Sequence, residues 1–258
     1  MNTVKIGSEN GVATISLNRP EQHNAFNEEM MEELRQAFAR FDQDRSIRVI
    51  VLRGEGKSFC AGADLNYMKS ASKKSFEDNV SESLAMASMF QIIKGSSKPV
   101  VALVHGAILG GGVGLIAAAD LVLAETGTRF GFSEVKLGLA PSVISPFVIE
   151  KIGPSHARRL FLTGEIFDTK LALRIGLVHE VYEKENADKL LAFVCENLLQ
   201  NSPNAIAEIK DLIDSNVTLS GEELANFTAE HISHLRTLEQ GQEGMTAFFE
   251  KRKPNYSK

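Results

Sequence analysis

The chain has few cysteines, no long apolar run and no excess of positive charge. Only two cysteines, Cys60 and Cys195, occur among 258 residues, so we expect no disulfide framework and a cytoplasmic location. No apolar run approaches the roughly 18 residues of a membrane-spanning helix, and the N-terminus lacks the apolar core of a signal peptide. A formal net charge of −5 gives no support for generic nucleic-acid binding.

Motifs of several enzyme classes are also missing. The sequence contains neither a P-loop nor a GxGxxG dinucleotide fingerprint, and its histidines and cysteines lack the spacing of a zinc site. Ser133, Ser142 and Ser145 do not stand in the G-x-S-x-G setting of a serine hydrolase. We therefore expect neither a metal site nor a serine hydrolase.

Strand-like and helix-like patterns alternate over most of the chain. Strand patterns at 12–17, 49–54, 99–105 and 121–124 are separated by helical ones, including a polar segment at 74–95 that we expect at the surface. This alternation predicts an α/β protein with parallel strands. The helix that Asn27 is expected to cap carries an apolar stripe for the core, formed by Met31, Leu34, Phe38 and Phe41. After about residue 185 the pattern becomes purely helical, with segments at 186–200, 203–215, 220–240 and 243–252.

Two glycine-containing loops follow predicted strands. Gly110, Gly111 and Gly112 lead from strand 99–105 into an apolar segment that is typical of a buried helix. A glycine-rich turn at a helix N-terminus exposes backbone N–H groups and can stabilise an anion, although the glycines could equally serve close helix–sheet packing. The second loop, at 58–65, leaves strand 49–54 through small residues. Two such loops can each donate one N–H to a single oxygen and so form an oxyanion hole.

The two loops, FCAGADL at 59–65 and GAILGGG at 106–112, resemble the signature loops of the crotonase (enoyl-CoA hydratase/isomerase) superfamily. The resemblance runs through the whole chain, and it looks closest to the enoyl-CoA hydratase and methylglutaconyl-CoA hydratase-like members. Further matching blocks are ISLNRP at 15–20, NAF at 24–26, FGFSE at 130–134, LTGE at 162–165 and EGMTAFFEKRKP at 243–254.

The resemblance implies a crotonase-like α/β fold, with repeated ββα turns that form a spiral core over residues 1–185. The C-terminal helical region, residues 186–258, would serve oligomerisation and active-site closure. The implied substrate is an acyl-CoA thioester, so coenzyme A belongs to the substrate and no separate cofactor is expected. The implied assembly is a trimer or a pair of trimers, with no nucleic-acid or membrane partner.

The resemblance also assigns roles to individual residues. The N–H groups of Ala63 and Gly111 would hold the thioester oxygen, and Glu134 would be the acid/base. Asp64 could instead cap the helix that follows it, and Lys251 could be a solvated helix end or meet a phosphate on an adjacent subunit. The residues matched to acyl-CoA binding are His23, Ala25, Ala61, Asp64, Leu65, Gly110, Ser133, Pro141 and Lys251.

Glu134 stands among apolar neighbours, which should oppose its ionisation and favour acid/base work. Local sequence alone favours a different interpretation, an exposed glutamate paired with Lys136 or Arg129, and only the resemblance reverses this preference. His105 and Cys60 are both interpreted as structural residues.

Gly114 departs from the pattern of many hydratases of the family, which carry a second glutamate there. Three explanations remain open. Glu134 could deliver both the oxygen of water and a proton, the substrate could supply its own carboxylate, or the reaction could be a double-bond shift.

The leading hypothesis is an acyl-CoA hydro-lyase that adds water to an enoyl-CoA. The alternative is a Δ3–Δ2 enoyl-CoA isomerase that uses the same Glu134 to move a proton. A third hypothesis, from another class, is a non-catalytic, RNA-associated relative, against which the acidic charge balance and the presence of Glu134 both argue.

Overall fold

Nine strands form two sheets in a computed structural model that describes residues 1–257. In chain order they are β1 (Val4–Glu9), β2 (Val12–Leu17), β3 (Val49–Gly54), β4 (Val100–Val104), β5 (Ala107–Leu109), β6 (Leu121–Glu125), β7 (Arg129–Gly131), β8 (Ile166–Asp168) and β9 (Glu180–Tyr182). The larger sheet has the order β1-β2-β3-β4-β6-β9, and the smaller has the order β5-β7-β8. All neighbours pair in parallel except β1 with β2 and β7 with β8. The predicted α/β class with parallel strands is confirmed.

Ten α-helices accompany the strands in these residues. They are α1 (Glu28–Gln43), α2 (Leu65–Ala71), α3 (Phe76–Lys94), α4 (Gly111–Ala118), α5 (Ser145–Thr163), α6 (Thr169–Arg174), α7 (Ala187–Leu199), α8 (Pro203–Thr218), α9 (Gly221–Thr237) and α10 (Glu239–Phe249). Up to residue 257 no strand follows β9, so the predicted C-terminal helical region is present. None of these helices has both the length and the apolar character to cross a membrane.

Apolar side chains cover both faces of the larger sheet. Successive residues of a strand point to opposite faces, so Ile50 and Leu52 of β3 enter one core while Val49 and Val51 enter another. The second core includes Cys195 of α7. Parallel strands that are buried on both faces need apolar residues at every position, which explains the unbroken apolar run in β3. Because α7 packs directly on the sheet, the helical region begins as part of the core, and the boundary at residue 185 stays a prediction.

The helices at the front of the chain follow their sequence signals, with one exception. Asn27 caps α1 by accepting a hydrogen bond from the Met30 amide at 2.9 Å, and the predicted apolar stripe is buried. The expectation that the segment 74–95 lies at the surface is wrong for its C-terminal part. Met89, Phe90 and Ile93 of α3 are all buried, because this end of the helix packs against α4.

Candidate active site

The loop that contains Ala63 and the loop that contains Gly111 lie side by side. The first follows β3 and the second follows β4, which are parallel neighbours, so both loops emerge at the same edge of the sheet. Cys60 and Ile108 form a parallel bridge between the loops, in which the Leu109 amide donates to the Cys60 carbonyl at 3.0 Å. The structure therefore brings the two predicted donor loops together.

Strand β7 brings Glu134 to the same place. β7 pairs in parallel with β5, and the Gly110 amide donates to the Gly131 carbonyl at 2.9 Å. A Cβ atom built on Gly110 would lie 3.1 Å from Oε1 of Glu134. The carboxyl group thus rests against the backbone of the glycine loop, one residue before Gly111.

The amides of Ala63 and Gly111 are free to bind a ligand. Among residues 1–257 no group accepts a hydrogen bond from either N–H. Phe26 donates to the Gly62 carbonyl at 2.7 Å and accepts from the Asp64 amide at 2.8 Å. In such parallel pairing the intervening residue directs its own N–H away from its partner. Gly111 is the first residue of α4, and the first amides of a helix have no partner within it.

Glu134 is placed where its charge is poorly compensated. Its Oε2 atom is buried and has no hydrogen-bond partner in the described part of the chain, and burial raises the pKa of Glu134 above its ordinary value. Glu134 is half-buried, and among residues 1–257 it forms no ion pair with Lys136 or Arg129, so the interpretation as an exposed, paired glutamate is wrong. A half-buried carboxyl with a raised pKa is suited to proton transfer near neutral pH.

An apolar wall faces Gly114. A Cβ atom built there would lie 2.4 Å from Cγ2 of Ile144 and 3.0 Å from two ring atoms of Phe90. Any side chain at this position would require these two residues to move. Two long-range neighbours therefore occupy the space that a second carboxylate at position 114 would need.

Two of the predicted binding residues, His23 and Ala25, lie in a turn next to the Ala63 loop, and a third, Ala61, lies in that loop. The His23 carbonyl accepts a hydrogen bond from the Ala61 amide at 3.0 Å, and its Nδ1 lies 3.1 Å from Oγ of Ser58. The Ala25 carbonyl accepts from Nη1 of Arg19 at 2.6 Å. This turn and the loop are therefore held as one unit.

Asp64 uses its carboxylate within the protein. Oδ1 accepts from the amides of Asn66 and Tyr67 at 2.7 and 3.3 Å, so Asp64 caps α2, the second of its two predicted roles. Oδ2 lies 2.9 Å from Nη2 of Arg19 in a buried ion pair. Burial alone would raise the pKa of Asp64, but the hydrogen bonds from Arg19 and the two amides outweigh it and lower that pKa. Sequence reasoning missed this role of Arg19, because no local pattern links residues so far apart.

The other predicted binding residues are spread more widely. Leu65 exposes its side chain at the start of α2, Ser133 directly precedes Glu134, and Pro141 is buried in the loop that follows. Lys251 lies beyond α10. The C-terminal segment is anchored at the start of β3, the opposite edge of the sheet, where Arg48 donates to the Tyr256 carbonyl at 3.0 Å. Within one chain the structure does not bring Lys251 to the two loops.

His105 and Cys60 both have structural surroundings. His105 Nε2 lies 2.9 Å from the Gly56 carbonyl. Burial raises the pKa of the Cys60 thiol to about 12, so this cysteine is not a thiolate at neutral pH. In residues 1–257 no three His, Cys, Asp or Glu side chains are grouped so that they could hold a metal ion.

Comparisons with known proteins identify one family. Residues 7–258 match the family model described as enoyl-CoA hydratase/isomerase. A short-chain-enoyl-CoA hydratase of Clostridium acetobutylicum is 30% identical, over 98% of this chain and 97% of its own. A trans-2-decenoyl-[acyl-carrier-protein] isomerase of Streptococcus mutans is 32% identical, over 96% of this chain and 95% of its own. The solved structure of an enoyl-CoA hydratase from Shewanella pealeana superposes with a TM-score of 0.95 at 37% identity, covering 98% of this chain and 95% of that one.

The packing at Gly114 predicts a measurable coupling. Gly114→Ala should lower the free energy of unfolding by about 1–3 kcal/mol, because the added methyl group overlaps Ile144 and Phe90. In urea unfolding, the double variant with Ile144→Ala should lose less free energy of unfolding than the sum of the losses in the two single variants. Gly7→Ala is the matched control, since nothing lies within 4 Å of a Cβ atom there. If the two losses in free energy of unfolding add strictly, Ile144 does not occupy the space next to Gly114.

Proposed function

This chain belongs to the enoyl-CoA hydratase/isomerase family, and we propose that it adds water across the 2,3 double bond of an enoyl-CoA thioester. The substrate would come from fatty-acid or branched-chain acyl-CoA catabolism. The observation that carries the proposal is the meeting of two unpartnered amides, those of Ala63 and Gly111, with the free buried oxygen of Glu134. The hydratase names of relatives that match over nearly the whole chain support it.

In this mechanism the thioester oxygen accepts hydrogen bonds from the Ala63 and Gly111 amides. As the oxygen of water bonds to C3, the electron pair of the double bond moves through C2 and the carbonyl carbon to the thioester oxygen, where the two donors stabilise the charge. Glu134, as a carboxylate, takes one proton of that water. The same carboxyl group then returns a proton to C2 as the enolate collapses, so one glutamate completes the addition.

A second candidate, a Δ3–Δ2 enoyl-CoA isomerase, is favoured by the apolar wall at Gly114 and by the isomerase among the relatives. Here the carboxylate of Glu134 removes a proton from C2, the dienolate rests on the same two amides, and Glu134 returns the proton to C4. The two reactions share every residue named above. They differ in the position of the substrate's double bond and in whether a water molecule reaches the carboxylate.

We also propose that the chain self-associates through its C-terminal helices, as a trimer or a pair of trimers. The support is an apolar surface on these helices in the single chain, where Phe248 and Phe249 at the end of α10 are 79% and 80% exposed. Large apolar surfaces of this kind mark interaction sites. Assembly would also allow Lys251, which one chain does not bring to the two loops, to approach a bound coenzyme A.

Changing both phenylalanines to serine should therefore reduce the molar mass measured by light scattering. Phe76→Ser is the control, because Phe76 is 78% exposed but lies at the start of α3, outside the C-terminal helices. A wild-type protein that is monomeric at micromolar concentration would disprove self-association.

Removing the acid/base group should separate turnover from folding. Glu134→Gln should lower kcat by about 100-fold or more, while binding of a CoA thioester, measured by calorimetry, persists. A carboxyl whose pKa is raised by folding stabilises the protein most at low pH and loses this contribution as pH rises. At pH 7 the neutral amide should thus unfold no more easily than the wild type.

Two further measurements complete this test. In the wild type, kcat/KM should fall at acidic pH with a midpoint above the ordinary range of glutamate, since the carboxylate must be ionised to act. Glu165→Gln, a change of an exposed glutamate, should leave turnover intact. Full activity of the Glu134→Gln enzyme would remove Glu134 from the mechanism.

The choice between the two reactions can be made in ¹⁸O-labelled water. We expect crotonyl-CoA to gain one water that carries the label, as detected by mass spectrometry. Conversion of 3-hexenoyl-CoA to its 2-enoyl isomer, with neither mass gain nor label from either substrate, would favour the isomerase. If 3-methylglutaconyl-CoA is the one substrate that is hydrated, the carboxylate of its acyl group takes the place of the second glutamate that is missing at position 114.

A further inference from the structure

Phe26 contacts both halves of the amide pair. Its backbone forms a hydrogen bond on either side of Ala63. The Phe26 amide donates to the Gly62 carbonyl at 2.7 Å, and the Phe26 carbonyl accepts from the Asp64 amide at 2.8 Å. Its ring lies against Gly111, where a Cβ atom would be 2.7 Å from Cε2 and 3.0 Å from Cδ2. One residue therefore connects the two loops directly.

The ring of Phe26 has little freedom to move. Phe26 is fully buried, and its ring meets Phe90 edge to face, with centroids 6.4 Å apart and planes at 79°. Phe90 in turn packs against Phe147 at 5.6 Å and against Gly114. In such a close-packed interior a ring that touches a backbone limits how near that backbone can come.

The two loops also meet at the bridge between Cys60 and Ile108, where Gly112 lies close to the Cys60 carbonyl, and at Gly62, which lies close to the Leu109 carbonyl. None of these contacts involves Ala63 or Gly111 itself, whereas the three atoms nearest to a Cβ atom built on Gly111 all belong to the ring of Phe26. The ring of Phe26 touches the N-terminus of α4 at Gly111, while the backbone of Phe26 is hydrogen-bonded to the Ala63 loop. The side chain of Phe26 thus connects the segment around Ala63 to Gly111.

We propose that Phe26 is a positioning residue, whose side chain sets the separation of the Ala63 and Gly111 amides. It touches neither substrate nor reacting atoms in this role. The inference rests on the proposed function only in taking a thioester oxygen as the ligand of the two amides. A shorter side chain would let α4 move toward the Ala63 loop, and the two donors would no longer match one oxygen.

The test is Phe26→Leu, with two measurements. The first is the carbonyl stretch of butyryl-CoA, labelled with ¹³C at the thioester carbon and bound to the protein, in isotope-edited infrared spectra. We expect the band, lowered by the two donors in the wild type, to return toward its frequency in solution. The second is steady-state kinetics, in which kcat should fall about 10-fold or more, since displacements near 1 Å can cost that much or more, while KM changes little.

Phe38→Leu is the matched control, because Phe38 is as buried as Phe26 but lies in α1, which packs on α3, β1 and β2. It should lower stability and leave both the band and kcat unchanged. Phe26→Met, a flexible side chain of similar volume, serves if the leucine variant does not fold; it should shift the band less than leucine. A wild-type band and kcat in a destabilised Phe26→Leu protein would overturn the proposal.

The infrared measurement uses a saturated thioester and needs no turnover. If the wild type lowers the carbonyl band but hydrates no enoyl-CoA, the hydratase proposal fails and the role of Phe26 can still be tested. If the wild type does not lower the band, the two amides do not bind the thioester oxygen and both proposals fail.

Discussion

At Gly110, Gly111 and Gly112 three different groups approach the backbone more closely than ordinary side-chain packing allows. A Cβ atom on these residues would lie 3.1 Å from the Glu134 carboxyl, 2.7 Å from the Phe26 ring and 2.4 Å from the Cys60 carbonyl, respectively. The absence of side chains lets an acid, a donor loop and a helix N-terminus meet within a few ångströms. The parallel strands β3 and β4 and the pair β5–β7 bring these groups to one edge of the sheet. The candidate site depends on the glycines, because side chains at these positions would keep the groups apart.

The parts of the molecule with local signals could be predicted from the sequence. The alternating strands, the Asn27 cap and the apolar stripe of α1 follow from periodicity and capping rules, and the two loops from their small residues. The convergence of Ala63, Gly111 and Glu134 needed the family resemblance, since nothing local places Glu134 beside the glycines. Contacts across the fold, such as Arg19 with Asp64 or Ile144 with Gly114, leave no periodic trace and became visible only in three dimensions.

The site combines uncharged backbone donors with a single free carboxyl group. The N-terminus of α4 and the Ala63 loop offer donors without any charged side chain, so negative charge that formed on an oxygen bound there would be met by dipoles already in place. The carboxylate of Asp64, next to Ala63, is held by Arg19 and two amides, whereas Glu134 keeps a free buried oxygen, and burial raises its pKa. A single group that both accepts and donates a proton suits water addition and double-bond migration equally, so access of water to Glu134 decides between them.

The central claim is that the amides of Ala63 and Gly111 together bind the thioester oxygen beside Glu134. A crystal structure of the protein with bound butyryl-CoA tests it most directly. We expect the thioester oxygen within about 2.7–3.1 Å of both amide nitrogens, with the Glu134 carboxyl next to the C2–C3 bond of the acyl chain. A thioester oxygen that meets neither amide, or an acyl chain that leaves Glu134 on the far side of the glycine loop, would contradict it.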